Sequence, residues 1–158
     1  MKKLIICLFL FSFSNLYSSE IKFEKIFDDL NKPWSLSFIN KENVIITEKT
    51  GRLLILNLKN KNINEIKHNL SLISLGQGGL LDVLYRDNTI YVSYSENRGN
   101  WETSTTVAKG IFDKEKIVFK NIFRAEPPID SGYHFGSRLV IRDKHLYVTA
   151  GERGQGMI

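Results

Sequence analysis

Cysteine is almost absent from this sequence, since Cys7 is the single one among 158 residues. It lies in an N-terminal segment where Lys2 and Lys3 precede an apolar run and then small residues, the pattern of a secretory signal peptide. Cys7 is too near the start for lipoprotein processing and leaves with residues 1–19. The remaining chain has no cysteine, which excludes a disulfide framework, so its core, or a metal or cofactor, must hold it together.

Long apolar runs are missing as well. The N-terminal run from Leu4 to Phe13 is shorter than the roughly 20 residues of a membrane-spanning helix, which favours a cleaved leader over a permanent anchor. We therefore predict a signal peptide at residues 1–19, no stable membrane anchor after its removal, and a periplasmic or secreted protein. About 139 of the 158 residues then remain, a length typical of one domain.

Positive charge is not concentrated anywhere in the chain. The 22 basic and 17 acidic residues give a net charge of +5, which falls to +3 when Lys2 and Lys3 are removed. The other basic residues are scattered, and no basic stripe with interleaved aromatics occurs. Nucleic acid is therefore not an expected partner.

Familiar metal and phosphate motifs are also absent. The sequence contains no HExxH, no cysteine pair and no acidic loop with EF-hand spacing. The glycine-rich stretch LGQGGLLDV precedes a strand pattern and lacks the helix that a phosphate-binding loop requires. No amphipathic helix is evident after the leader, and the alternation in segments such as IYVSYS predicts strands. The fold class is therefore all-β.

A repeated hairpin pattern is what the chain does contain. Three pairs of apolar segments are joined by polar turns, namely WSLSFI with VIITEKTG, GLLDVLY with IYVSYSE, and SRLVI with HLYVTAGERG. Matching leucines stand at Leu36, Leu81 and Leu139, and residues 105–112 and 116–125 are further strand candidates. Units of about 40 to 50 residues with four short strands indicate a β-propeller rather than a sandwich.

The chain is too short for a closed ring of such units. About 139 residues correspond to roughly three blades of about 45 residues, whereas propellers close with about four to eight. We therefore predict that residues 20–158 form the N-terminal half of a propeller domain that is incomplete at its C-terminus.

Seven motifs occur in one order between Lys32 and Gly156: PWSLSFI, ITEKTGRLLIL, GQGGLLDVLY, IYVSYSE, TVAKG, HFGSRLVI and LYVTAGERG. Together they resemble the soluble aldose sugar dehydrogenases, the PQQ-dependent enzymes of the glucose/sorbosone dehydrogenase family. The resemblance implies a six-bladed propeller, of which this chain holds about the first three blades. It also implies PQQ near the axis, calcium with ligands from later blades, aldose oxidation at the anomeric carbon, and an external electron acceptor.

His134 is the predicted catalytic residue. It stands between Gly132 and Gly136, directly before an apolar strand, and an imidazole with an ordinary pKa near 6.5 suits a general base at neutral pH. By its residues alone, this histidine could equally be a loop residue with a local hydrogen bond. The resemblance implies the role of general base.

Four other positions complete the predicted site. The resemblance implies that Gln77 helps to form the sugar pocket and that Arg153 and Gln155 contact the quinone. Tyr133 neighbours His134 and is a candidate for lining the substrate site. A guanidinium fork fits the planar carboxylates of PQQ, although Arg153 could instead form a surface pair with the adjacent Glu152. Arg138 could support the His134 loop or form an ion pair between blades, and we favour the structural role.

Two alternatives to the enzyme remain open. One is a propeller that binds carbohydrate or protein without redox chemistry, and the other is an inactive truncated product.

Overall fold

Residues 21–156 are described by a computed structural model of the chain. The predicted signal peptide lies outside these residues, and the predicted domain boundaries stay predictions. In the described part of the chain no helix is long and apolar enough to cross a membrane. Its regular structure consists of eleven strands: β1 (Pro33–Phe38), β2 (Asn43–Glu48), β3 (Leu53–Asn57), β4 (Ile63–His68), β5 (Leu80–Arg86), β6 (Thr89–Asn97), β7 (Thr103–Ile111), β8 (Lys116–Ile117), β9 (Lys120–Arg124), β10 (Leu139–Arg142) and β11 (His145–Val148).

These strands form two full sheets and one hairpin. Strands β1 to β4 run in sequence order as antiparallel neighbours, and we call this sheet blade 1. Strands β5, β6, β7 and β9 form blade 2, and the β10–β11 hairpin begins a third unit, which we call hairpin 3. The all-β class is therefore confirmed, with two four-stranded modules and the first half of another in residues 21–156.

The 116–125 segment, predicted as one strand, is divided between the two blades. Its first residues, β8, pair in parallel with the end of β4, and β9 pairs with β7. Asn69 accepts from the amide of Phe119 and donates to its carbonyl at 2.7 and 3.1 Å. The outer strand β4 was not predicted, because only Ile66 of its six residues is buried and its pattern is therefore mostly polar.

The main core lies between the blades. Ile45, Leu53 and Ile66 of blade 1 pack with Leu80 and Val92 of blade 2 in one buried cluster. The other face of blade 1 is covered by the segment that precedes β1, through Phe27 and Leu30. Because the central strands β2 and β3 are buried on both faces, they are continuous apolar runs rather than alternating ones.

Blade 2 also contains a buried charged cluster around Glu96. The Glu96 carboxylate accepts two hydrogen bonds from Arg124, at 2.7 and 2.8 Å, and others from Thr106 and Asn121. Burial raises the pKa of this carboxyl, but the hydrogen bonds from Arg124 and Thr106 and the charge of Arg124 outweigh burial and leave the pKa below its ordinary value. Burial and the charge of Glu96 raise the pKa of Tyr94 to about 12.

This cluster predicts a specific acid sensitivity. A carboxyl whose pKa is lower in the folded state contributes stability above its ordinary pKa, and this contribution is lost as the pH falls through the folded value. We expect Glu96→Gln to be less stable than the native protein at pH 7 and to lose less stability on acidification to about pH 3. Urea unfolding midpoints at the two pH values measure the effect. Glu65→Gln, at an exposed carboxylate, is the matched control, and identical acid losses in the Glu96 variant and the native protein would contradict the assignment.

Candidate active site

Three loops meet at one end of the blades. Residues 69–79 connect β4 to β5, residues 125–138 connect β9 to β10, and residues 149–156 follow β11. Because neighbouring strands are antiparallel, the ends of β4, β9 and β11 all reach the same end of their sheets. We call this end the site face, and it carries all five of the residues predicted for the site.

His134 is held at the site face by its backbone and by its ring. Its amide donates to the Oε1 atom of Gln77 at 2.8 Å, across 57 residues of sequence. Its Nδ1 atom is hydrogen-bonded to Oε1 of Glu152, and the side chain is 52% exposed. A carboxylate can only accept, so in the neutral ring Nδ1 carries the proton and Nε2 the lone pair. In the described part of the chain Nε2 has no hydrogen-bond partner.

The backbone at His134 is in an unusual conformation. Its φ of 47° lies in the left-handed region, as do the φ angles of Gly136 and Ser137 at 67° and 77°. A non-glycine residue in this region costs of the order of 1 kcal/mol or more and persists where the surroundings enforce it, which occurs often at active sites. Contacts such as the hydrogen bond from the His134 amide to Gln77 therefore hold this backbone.

Glu152 is the site residue that sequence reasoning missed. It was considered only as a surface partner of Arg153, whereas the structure pairs it with His134. The hydrogen bond from His134 lowers the pKa of the Glu152 carboxyl and outweighs the opposing effect of burial. The register of hairpin 3 could have revealed the pair, because Leu139 faces Val148. Counting five residues back from Leu139 and five forward from Val148 in the same register reaches His134 and Arg153. Glu152 is then next to the residue that faces His134.

Glycines allow the three loops to approach one another. The backbone amide of Gln77 donates to the carbonyl of Gly132 at 2.7 Å. A Cβ atom added at Gly76 would overlap the Gly132 carbonyl, and one added at Gly151 would overlap that of His134. No side chain fits at either position without moving the loop that carries His134.

The other predicted residues of the site face differ in their exposure and in their contacts. Tyr133 is 58% exposed, and its ring lies edge to face with the His134 ring at 6.3 Å between centroids. Gln155 is exposed, and its backbone amide donates to the backbone carbonyl of Glu152 at 3.1 Å. The Oε1 atom of Gln77 is already used by the amide of His134. Contacts of Gln77 and Tyr133 with sugar, and of Gln155 with quinone, stay predictions.

Arg153 lies under the loop rather than on its surface. It is 7% exposed, and its guanidinium donates to backbone and hydroxyl oxygens of Thr103, Ser131 and Tyr133. The alternative of a surface pair with Glu152 is wrong, because Glu152 binds His134 and the guanidinium is buried. A contact between Arg153 and the quinone stays a prediction.

Buried hydroxyls of blade 2 support the same loop from below. Thr105 donates to the carbonyl of Phe135 at 2.7 Å, and Ser93 donates to that of Ser137 at 2.6 Å. Ser95 accepts from the amide of Gly79 at 2.6 Å and so holds the 69–79 loop too. These hydroxyls give the loop carbonyls partners that strand pairing cannot supply.

Asp82 joins all three units below the site face. Its side chain is buried and accepts from Ser35 of blade 1 and from the amide of Leu139 in hairpin 3, the latter at 2.6 Å. Arg138 donates to it at 3.0 Å and lies over the ring of Trp34. The predicted structural role of Arg138, an ion pair between blades, is confirmed.

Comparison with known proteins defines the class to which this fold and site belong. Residues 30–157 match the model of the family described as Glucose / Sorbosone dehydrogenase. The chain belongs to the glucose/sorbosone dehydrogenase family.

Individual relatives agree with this assignment. The aldose sugar dehydrogenase YliI of Escherichia coli K12 is 31% identical over 145 residues, which cover 85% of this chain and 39% of that protein. The apo-form structure of the soluble aldose sugar dehydrogenase from Escherichia coli superimposes with a TM-score of 0.76 at 31% identity, covering 84% of this chain and 41% of that one. The PQQ-bound aldose sugar dehydrogenase of Streptomyces coelicolor, at 20% identity and a TM-score of 0.73 over 84% of this chain and 41% of that one, shares the fold.

The propeller assignment is confirmed by these likenesses, and blade 1, blade 2 and hairpin 3 are part of such a ring. The chain spans about two fifths of the length of the relatives that it matches. Among residues 21–156 no group of three or more His, Cys, Asp or Glu side chains is placed to hold a metal ion.

Proposed function

We propose that this chain provides the first blades of a periplasmic PQQ-dependent dehydrogenase that oxidises aldose sugars at the anomeric carbon, with His134 as general base. The observation that carries the proposal is the half-exposed His134 ring, with Nδ1 on the Glu152 carboxylate and Nε2 without a partner among the described residues. The family and its sugar dehydrogenase members support the substrate class.

The proton chemistry follows from this arrangement. Nε2 of His134 would take the proton of the anomeric hydroxyl as the carbon is oxidised. The Glu152 carboxylate would hold the ring orientation and stabilise the imidazolium that forms, as carboxylates do beside other catalytic histidines. When bound, PQQ supplies the acceptor for the electrons of the sugar, which then pass to an external acceptor.

The described residues fit one side of a PQQ site. PQQ is flat and carries three carboxylates. The glycine-rich loops and the exposed Tyr133 ring could lie against a flat ligand beside the base, since a backbone without side chains allows close approach. The guanidinium groups of Arg153 and Arg138 are bound to protein oxygens. We propose that the calcium ligands and further cations for the PQQ carboxylates belong to the part of the propeller that this sequence does not cover.

Reconstitution tests the proposal. Protein expressed from the complete reading frame, freed of cofactor and then supplied with PQQ and Ca²⁺, is expected to reduce a redox dye when an aldose is added. Samples without PQQ or without sugar are the controls. If PQQ and Ca²⁺ bind and no aldose gives dye reduction, the chain is part of a non-catalytic binding propeller instead.

A further inference from the structure

We infer that Arg153 is a positioning residue, which fastens the 131–135 segment to blade 2 and so fixes His134 relative to Glu152. The catalytic meaning of this inference rests on the proposed function, whereas the fastening itself is a property of the cofactor-free protein.

The guanidinium contacts two elements, the 131–135 segment and the first residue of β7. Nε donates to the Tyr133 carbonyl at 2.9 Å, Nη1 to the Thr103 carbonyl at 3.0 Å, and Nη2 to the Thr103 hydroxyl at 2.6 Å and to the Ser131 carbonyl. Its central carbon lies 3.8 Å from the centroid of the Phe135 ring. One side chain thus binds the segment on both sides of His134 and ties it to the first residue of β7.

The segment in turn binds the backbone of Arg153. The Ser131 hydroxyl donates to the Arg153 carbonyl at 2.6 Å. Because Glu152 directly precedes Arg153, the same contacts that hold the His134 segment also hold the carboxylate that receives the Nδ1 proton. Arg153 therefore contacts the chain beside both members of the His134–Glu152 pair.

The backbone conformation of His134 explains why such a fastening is needed. A φ of 47° is unfavourable for a non-glycine residue, and it persists only if neighbouring contacts enforce it. Without the guanidinium, the Tyr133 carbonyl loses its donor, and the Ser131 carbonyl keeps only the hydrogen bond from the Thr103 hydroxyl. We expect the segment to relax toward ordinary dihedral angles and to carry the imidazole away from Glu152.

A direct contact with a PQQ carboxylate is the competing role for Arg153. A guanidinium has five N–H donors. The Arg153 guanidinium donates four hydrogen bonds to protein oxygens, which leaves one N–H for a ligand. The residue is only 7% exposed, and burial lowers the pKa of the guanidinium. The two roles predict different results, because only a direct contact makes the residue necessary for PQQ affinity.

Hydrogen exchange and PQQ titration separate the two roles. In cofactor-free protein from the complete reading frame, we expect Arg153→Met to speed exchange of the His134 amide by about tenfold or more. Thr103→Val removes the hydroxyl that accepts from Arg153 and donates to the Ser131 carbonyl but keeps the arginine, and should speed exchange less. With PQQ, Arg153→Met should lower kcat by about 10- to 100-fold with KM for sugar and PQQ affinity within about threefold of the native values. Arg153→Lys should not restore kcat, since an ammonium lacks the planar fork.

Arg52→Met is the matched control. It removes an arginine that is paired with the buried Glu48 carboxylate on blade 1, and it should leave hydrogen exchange of the His134 amide unchanged. Unchanged exchange of the His134 amide in Arg153→Met would overturn the inference, whatever Thr103→Val shows. A loss of PQQ affinity of more than about tenfold with unchanged exchange would assign Arg153 to the quinone instead. If the native protein shows no sugar oxidation, the proposed function fails, and the exchange data still decide the fastening.

Discussion

Replacement of His134 by alanine is expected to lower kcat for aldose oxidation by about 100-fold or more, the usual contribution of a positioned general base. The variant removes the imidazole whose Nε2 atom has no partner in the described structure. The backbone hydrogen bond from residue 134 to Gln77 does not require the imidazole, so the loop should keep its position. Steady-state dye reduction with PQQ and Ca²⁺ measures the effect.

Two further variants make this result specific. His145→Ala removes an exposed histidine at the far end of hairpin 3 and should leave kcat unchanged. Glu152→Gln keeps an acceptor for Nδ1 but removes the charge that stabilises the imidazolium, and should lower kcat by about tenfold or more. If His134→Ala turns over at the native rate, the imidazole has no part in the mechanism.

Asp82→Ala is expected to destabilise the protein by about 3 kcal/mol, the largest stability effect of a single side chain that we predict. The carboxylate accepts from the amides of Leu139 and Val83 and from Arg138 and Ser35. Its loss leaves buried donors of three units without their acceptor, and each unsatisfied buried group costs about 1 to 3 kcal/mol. Urea unfolding measures the change.

Asp28→Ala is the control for this variant. Asp28 pairs with Lys25 at the surface, where both side chains are largely exposed, and such pairs contribute about 0 to 1 kcal/mol. If Asp82→Ala unfolds at the same urea concentration as Asp28→Ala, the buried carboxylate does not join the blades energetically.

Local patterns predicted the hairpins well. The strands at Pro33–Phe38 with Asn43–Glu48, Leu80–Arg86 with Thr89–Asn97, and Leu139–Arg142 with His145–Val148 follow the predicted segments. Each is specified by alternation or an apolar run together with a tight turn, which involve residues close in sequence. The strand Ile63–His68 was not predicted because a strand with one buried residue has no such pattern.

Long-range contacts explain the other omissions. The 116–125 segment is divided because its first residues pair with blade 1, across about 50 residues of sequence. Likewise, a sequence shows that Glu152 and Arg153 are adjacent, but not that one faces the imidazole and the other lies beneath its loop. That difference is decided by the neighbouring Thr103 and Ser131, which belong to other elements.

The sequence by itself thus determined the strand modules, the glycine-flanked loop that carries His134 and the family resemblance, because these depend on the order of residue types along the chain. Only the tertiary structure decided that Glu152 is the partner of His134, that Arg153 is buried and that Asp82 joins three units. Hydrogen bonds between distant segments form only where folding excludes water and brings donors and acceptors together, and no local pattern encodes that proximity.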